Sequence, residues 1–261
     1  MVIYVIITQL NLSVAQMKKF LLFLFLLSPI ITLLNASEQL IVVISNDFDT
    51  STAPLKRFEK QNDRFVQVGN TISVNLGRNG LGWGIGKYSI EHNQNDPLKH
   101  EGDGKAPAGI FTLGSAFGYT ADIQSRMPYL QATADLICID DSHSPYYNQL
   151  KKIGSHIEVN SFEWMRRSDK LYEIGINVHH NSSGVISRGS CIFLHVEKAP
   201  SSATAGCTSM RYDHLKSLIE WLDPKSEPLL VQIPVSYCTK IEKQFPGICP
   251  KKLSSSKLSY Q

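Results

Sequence analysis

Short apolar runs, separated by glycine-rich and polar turns, dominate the chain from residue 40 onward. Each run is between four and seven residues long and rich in Val, Ile and Leu, a pattern that predicts β-strands. Two of the runs lie on either side of Gly69-Asn70, which is typical of a β-hairpin. The predicted strands are 40–45, 64–68, 71–76, 107–113, 136–139, 174–178, 190–196 and 229–233.

One segment late in the chain has helical periodicity instead. Apolar residues recur there at the spacing of one helical face, namely Leu215, Leu218, Ile219 and Leu222. This pattern predicts a helix over 211–222, which Asp223-Pro224 ends. Since the sequence shows neither an internal repeat nor a domain linker, we expect a mainly β fold. A sandwich or open barrel with one prominent helix is the expected architecture.

Composition and charge exclude several classes of function. The chain has 261 residues, of which 43% are apolar and 19% charged, as in ordinary globular proteins. A formal net charge of +3 is too small to indicate a nucleic-acid binder. The glycine-rich stretch 77–86 matches neither the Walker pattern nor the dinucleotide fingerprint, and neither a CxxC nor an HExxH motif occurs. We therefore predict no cofactor, no metal and no nucleic-acid partner.

Residues 1–36 have the pattern of a secretory signal peptide. A short basic start precedes the apolar stretch 20–34, and the small residue Ala36 precedes the predicted cleavage point. Met17, directly before the two lysines of that start, is an alternative initiator. The apolar stretch is shorter than the ~20 residues of a membrane span. We therefore expect export to the periplasm or cell envelope. The alternative is an uncleaved anchor, which would be the chain's one contact with a membrane.

Five cysteines cannot all pair with one another, so one thiol is left over if four form disulfides. Exported proteins normally pair their cysteines, and Cys238 and Cys249 flank a short loop that suits a local disulfide. Cys138 and Cys191 lie in apolar runs and either pair or are simply buried. Cys207 is then the leftover thiol. Its small, polar neighbours predict an accessible sulfur, with a buried inert thiol as the alternative.

Cys207 and His195 form the candidate catalytic pair. His195 ends a predicted strand, and Cys207 follows twelve residues later, just before the predicted helix. A strand, a returning loop and a helix start can bring the two side chains together, and an adjacent imidazole activates a thiol as a nucleophile. Gly206 permits a tight turn beside the sulfur, while Thr204 and Thr208 are candidate oxyanion donors. A structural histidine and a zinc site that includes neighbouring histidines are the alternatives.

An ordered set of short motifs surrounds this pair. In chain order the segments are 77–80, 82–84, 107–111, 140–141, 146–148, 175–176, 180–181, 189–195, 204–207 and 221–224. Together they resemble the YkuD-type L,D-transpeptidase family, in which a His precedes a [Ser/Thr]-x-Gly-Cys element. The resemblance covers about residues 64–235. The sequence departs from the commonest pattern at Ala205, where a second His is usual, and at Ser209, where an Arg is usual.

The resemblance implies a YkuD-like β-sandwich in which Cys207 is the nucleophile, His195 is its base and the main-chain carbonyl of Val196 orients the imidazole. The implied activity is that of a cysteine L,D-transpeptidase, which attacks peptidoglycan tetrapeptide stems and forms a thioester acyl-enzyme. The implied acceptor is an amine of another stem or of a lipoprotein lysine. With water as acceptor, the protein would be an L,D-carboxypeptidase that trims tetrapeptide to tripeptide stems. A non-catalytic murein-binding module is the third alternative.

Four further residues are candidate substrate contacts. The family pattern favours His180 over His179 as the histidine that faces the cleft, and Asn181 follows it before a polar turn. Arg211 is a candidate for binding a stem carboxylate, with a surface charge as the alternative. Trp83 is a candidate wall of the site, with core packing as the alternative.

These patterns divide the chain into four parts. They are the signal peptide 1–36, an N-terminal extension with the first strand 37–63, the catalytic domain 64–235 and a tail 236–261. The tail carries the predicted Cys238–Cys249 disulfide. Because it is polar and rich in Ser and Lys after residue 250, we expect it to fray.

Overall fold

The computed structural model describes residues 38–154 and 157–250. The predicted signal segment 1–36 and the tail beyond residue 250 lie outside the described residues. The strands are β1 (Gln39–Ser45), β2 (Thr52–Gln61), β3 (Arg64–Asn75), β4 (Leu81–Trp83), β5 (Ala106–Gly118), β6 (Tyr129–Gln131), β7 (Leu136–Cys138), β8 (Leu150–Lys152), β9 (Glu163–Trp164), β10 (Ile174–Val178), β11 (Phe193–Val196), β12 (Thr208–Met210) and β13 (Leu229–Pro234). The α-helices of this part are α1 (Tyr212–Trp221) and α2 (Cys238–Ile241), and 3-10 turns occupy Pro224–Ser226 and Val235–Tyr237.

Eight strands pair in a closed ring. The pairing runs in the order β10-β11-β12-β3-β2-β1-β13-β5, and β5 pairs again with β10. The β1–β13 and β11–β12 pairs are parallel, and the other neighbours in the ring are antiparallel. The mainly β class predicted from the sequence is confirmed. The sandwich is not confirmed, because one continuous path of strands closes on itself.

The ring and α1 share one apolar core. β1 and β13 are buried along nearly their whole length, which explains why their sequences are continuous apolar runs rather than alternating ones. The helix predicted over 211–222 extends from Tyr212 to Trp221, with Arg211 and Leu222 as its capping residues. Its apolar face is buried in the same core as the strands. The helix therefore packs against the ring, mainly beside β10 and β11.

The ends of the described chain are part of the packed structure. The segment 37–63, predicted as an extension, supplies β1 and β2, which are members of the closed ring. Tyr237, Phe245 and Ile248 are buried, and the Phe245 ring packs 5.9 Å from that of Phe65. The expectation that the tail frays is therefore corrected as far as residue 250, because its apolar side chains are packed in the core. Among the described residues, no helix has the length and apolar character needed to span a membrane.

A smaller sheet of three strands, in the order β8-β7-β9, lies beside the ring. Its apolar residues join Phe117 and Phe193 of the ring in a second buried cluster, which also contains Cys207. A disulfide between Cys138 and Cys191 links β7 to the segment that precedes β11. The free thiol of Cys207 therefore lies where the small sheet meets the ring.

Candidate active site

A cleft of about 360 Å³ opens at this junction. β11 and β12 run parallel there, with His195 opposite Ser209. Because side chains alternate along a strand, His195, Ser209 and Cys207 point to one face, and all three line the cleft. The other polar and aromatic residues of the wall are Glu101, Asp140, Glu163, Arg167, Tyr172, Ser190, Lys198, Ser202 and Thr204. The two residues predicted as a catalytic pair are thus brought to the same cleft.

Cys207 is the free cysteine of the described chain, since the other four form the Cys138–Cys191 and Cys238–Cys249 disulfides. Its thiol donates to the carbonyl of Cys191 at 3.4 Å and accepts a hydrogen bond from the N–H of Phe193 at 3.3 Å. Only 8% of its surface is exposed, which corrects the expectation of an accessible sulfur. Burial raises the pKa of the thiol to about 12, and the Glu163 carboxylate acts in the same direction.

His195 is held in one tautomer. Its Nδ1 lies 2.8 Å from the carbonyl oxygen of Val196, the contact that the family resemblance implies. A carbonyl only accepts hydrogen bonds, so Nδ1 carries the proton and Nε2 of the neutral ring is free to accept one. Burial lowers the pKa of His195 to about 4. The histidine is therefore neutral at pH 7, with Nε2 unprotonated.

Tyr172, Glu163 and Arg167 complete the surroundings of His195. The Tyr172 ring meets the imidazole edge-to-face at 5.4 Å, and its hydroxyl donates to Glu163 Oε2 at 2.5 Å. The Arg167 guanidinium lies 5.1 Å from the Tyr172 ring centre and is paired with Asp169. Burial raises the pKa of Glu163, against the effect of the Tyr172 hydrogen bond. No local pattern singles these residues out, because they come from separate segments that meet in the folded chain.

The turn before Cys207 is stabilised by the side chain of Thr204, which lies within it. Thr204 Oγ1 donates to the carbonyl of Cys207 at 2.6 Å and accepts from the N–H of Gly206 at 3.1 Å. Gly206 has a φ of +153°, which favours glycine. Thr208, predicted as an oxyanion donor, instead turns away from the cleft and donates to Gln232 Oε1 at 2.8 Å. Strand alternation causes this correction, since Thr208 is one residue out of phase with Cys207.

Lys99 is a buried cation behind the same turn, with 3% of its surface exposed. Its Nζ donates to Asp103 Oδ1 at 2.6 Å and to the His100 carbonyl at 2.7 Å. A β-carbon placed on Gly206 would lie 3.6 Å from this Nζ. The positive charge lowers the pKa of the Cys207 thiol, although less than burial raises it. In the sequence, only the i,i+4 spacing of Lys99 and Asp103 indicates that the two residues form an ion pair.

His180 and Asn181 do not line the cleft, contrary to the prediction. His180 is 1% exposed; its Nδ1 accepts from the N–H of Ile85 at 3.2 Å, and its Nε2 donates to the carbonyl of Arg188 at 2.8 Å. Asn181 is fully buried and binds the main-chain N–H and carbonyl of Val185 through its side chain. Both residues therefore shape the loop that leads to Cys191, because His180 Nε2 and the Asn181 side chain bind the main chain of that loop.

Arg211 and Trp83 are also placed away from the cleft. Arg211 is exposed at the start of α1 and pairs with Asp213 at 2.9 Å, so it is a surface charge. Trp83 is 3% exposed, donates to Asp96 Oδ2 at 3.0 Å and packs edge-to-face on Tyr237. Its apolar surface is used in the core, which corrects its prediction as a wall of the site.

The residues of the alternative zinc site do not converge. His179 bonds Thr112 Oγ1 through Nδ1 at 3.0 Å and lines a different cleft from His195 and Cys207. Among residues 38–154 and 157–250, no group of three or more His, Cys, Asp or Glu side chains is placed to hold a metal ion.

The fold and the cleft together define a class of site. It is a free, buried cysteine with a neutral histidine in one cleft of a mainly β protein. No family model, no curated protein and no solved structure matches the chain. The activity is therefore argued from the chemistry and geometry of these residues.

Proposed function

We propose that the protein is a cysteine acyltransferase of the L,D-transpeptidase type, acting on peptidoglycan tetrapeptide stems. One observation carries the proposal. The free thiol of Cys207 lines the same cleft as His195, whose Nδ1 is fixed by the Val196 carbonyl so that Nε2 can take a proton. A free thiol and a neutral imidazole in one cleft are the two groups that nucleophilic catalysis by a thiol uses, and the main-chain oxygen of Val196 is the proposed third member.

The first half-reaction forms a thioester. His195 Nε2 takes the proton of the Cys207 thiol as sulfur attacks the carbonyl carbon that precedes D-alanine. The C–N bond then breaks, and the imidazolium returns the proton to the departing amine of D-alanine. Because the resting thiol and imidazole are both neutral, the proton moves during the attack rather than before it.

The second half-reaction releases the acyl group. An acceptor amine attacks the thioester carbon, His195 takes a proton from it, and the sulfur leaves and regains a proton. An amine of a second stem or of a lipoprotein lysine gives a cross-link, whereas water gives a trimmed tripeptide stem. The cleft wall carries the acidic Glu101, Asp140 and Glu163 as well as the basic Arg167 and Lys198. Such a mixed wall suits a stem peptide that bears both ammonium and carboxylate groups.

Export to the periplasm or cell envelope is part of the proposal. Two disulfides join four of the cysteines, and such bonds persist in oxidising compartments. This supports the interpretation of residues 1–36 as a signal peptide.

Product analysis on purified tetrapeptide muropeptides tests the proposal, with Cys207→Ala as the control. We expect cross-linked dimers, free D-alanine and a mass adduct on Cys207 after incubation with a carbapenem, all of them absent from Cys207→Ala. Tripeptide stems without dimers would identify an L,D-carboxypeptidase instead. Intact muropeptides that bind the folded protein without turnover would overturn the catalytic proposal and identify a murein-binding module.

A further inference from the structure

The Cys138–Cys191 disulfide adjoins the candidate nucleophile. Cys207 Sγ donates to the carbonyl of Cys191 at 3.4 Å, and the N–H of Phe193 donates to the same sulfur at 3.3 Å. The main chain of residues 191–193 therefore holds the thiol through both of its hydrogen bonds. A displacement of this short segment would alter both contacts at once.

The backbone of Cys191 needs support to stay in this position. Its φ is +53°, in the left-handed region that residues with a β-carbon rarely adopt. The disulfide to Cys138 holds its side chain, and its N–H donates to Asn148 Oδ1 at 2.9 Å. Asn148 is itself anchored, because its Nδ2 donates to the carbonyls of His180 and Asn181 at 2.7 and 2.9 Å. The disulfide and the Asn148 hydrogen bond thus hold Cys191 in place, and Cys191 in turn binds the thiol of Cys207.

The same disulfide joins the two walls of the cleft. Cys138 stands opposite Glu163 in the β7–β9 pair, and Glu163 lines the cleft and accepts the hydrogen bond from Tyr172. Cys191 lies on the other wall, in contact with Cys207. Breaking the bond would therefore release the wall that carries Glu163, the hydrogen-bond partner of Tyr172, from the wall that holds the thiol.

We propose that the Cys138–Cys191 disulfide is a positioning device for Cys207, so that the protein gains its full activity only when this bond is formed. Cys138 and Cys191 are positioning residues that act through Cys207. The activity measured in the test below is the transfer reaction of the proposed function, so this part of the inference rests on that proposal. Reduction by a dithiol transfers two electrons and two protons to the bond, leaving thiols on Cys138 and Cys191 and a disulfide in the reductant. The protein would thus have little activity in a reducing compartment and become active after export.

Two double variants of the chain separate positioning from stability. Cys138→Ser with Cys191→Ser removes the bond beside the nucleophile, and Cys238→Ser with Cys249→Ser removes the distant one as a matched control. Both leave Cys207 as the single free thiol. Two properties are measured on each, the transfer kinetics on tetrapeptide muropeptides and the pH dependence of Cys207 alkylation by iodoacetamide.

We expect the first variant to lose at least about tenfold in kcat, with a KM changed less than threefold. Its alkylation midpoint should fall toward that of an ordinary thiol, because water enters the loosened cleft. The control variant should stay within twofold of the wild type in kcat and keep its alkylation midpoint. An unchanged kcat in the folded first variant, or an equal loss in both variants, would overturn the proposal.

The first variant is informative only if it is folded, which a cooperative thermal unfolding transition shows. If it has no such transition, stepwise reduction of the wild type with dithiothreitol replaces it. Activity should decline in step with loss of the Cys138–Cys191 bond and return on reoxidation, and activity that survives its reduction would overturn the proposal. If the wild type neither transfers nor trims stems, the proposed function fails, and the pH dependence of Cys207 alkylation alone tests the positioning role. A shift of the alkylation midpoint in the Cys138/Cys191 variant but not in the Cys238/Cys249 variant supports the positioning role. The absence of a shift overturns it.

Discussion

The Nδ1 atom of His195 lies 2.8 Å from the carbonyl oxygen of Val196, the residue that follows it in the chain. This contact sets the tautomer of the imidazole without a carboxylate. A carboxylate at that position would stabilise the cationic ring, whereas a neutral carbonyl in a buried site does so much less. The pKa of His195 is accordingly lowered to about 4 by burial.

The pH dependence of turnover should reflect this lowered pKa. A base works only when unprotonated, so kcat/KM should decline as the pH falls through about 4 rather than through the ordinary value near 6.5. The measurement is the pH–rate profile of stem transfer between pH 3.5 and 8, within the range where circular dichroism shows folded protein. An acid limb centred near pH 6.5 would mean that His195 is solvated or ion-paired during catalysis.

Thr204 and Thr208 form a matched pair of threonines on either side of Cys207. Thr204→Val removes the hydroxyl that binds the Cys207 carbonyl and the Gly206 N–H, so we expect kcat to fall about tenfold as the turn loosens. Thr208→Val instead leaves Gln232 Oε1 without that donor, which should cost about 1–3 kcal/mol of unfolding free energy. Its kcat should stay within about threefold of the wild type. Urea unfolding and transfer kinetics on both variants check this contrast, and a reversed order would contradict it.

The hydroxyl and the ring of Tyr172 should have separable effects. Tyr172→Phe keeps the ring against His195 but removes the donor to Glu163, so we expect about 1–2 kcal/mol of lost stability and little change in kcat. Tyr172→Leu removes the ring as well and should lower kcat about tenfold, because the imidazole loses its packing. The exposed Tyr146→Leu is the control. Equal kcat values for the Phe and Leu variants would show that the ring does not position His195.

Stability should fall on mild acidification because two histidines are buried in the neutral form. Burial lowers the pKa of both His180 and His195 to about 4, so between pH 6.5 and 4 the unfolded chain binds protons that the folded chain does not. Stability is therefore fully present above pH 6.5 and is lost as pH falls, by roughly 3 kcal/mol per histidine at pH 4.

Urea unfolding at pH 7 and pH 4.5 measures this loss. His195→Gln should remove about half of the difference between the two pH values while keeping the contribution of His180. A free energy of unfolding that is flat over this range would mean that the two imidazoles take up protons in the folded protein at the same pH as in the unfolded chain.

The sequence predicted those features that depend on interactions between residues close together in the chain. The helix over 211–222 follows from one apolar face and a terminating Asp223-Pro224, and the observed helix differs by a single residue at each end. Cys238 and Cys249 are 11 residues apart and flank one loop, so their pairing was predictable. Cys138 and Cys191 are 53 residues apart, and the sequence left open whether they pair or are buried.

The sequence by itself thus determined the mainly β class and an odd number of cysteines, and it made His195 and Cys207 the candidate pair, because strand pattern, cysteine parity and motif order are properties of the linear chain. Only the tertiary structure decided that β5 pairs with β10 to close the ring, that Tyr172 packs on His195 and donates to Glu163, and that the thiol is buried. It also turned Thr208 and His180 away from the cleft. These outcomes depend on contacts between segments distant in sequence, and packing and strand register choose among them without leaving a local pattern.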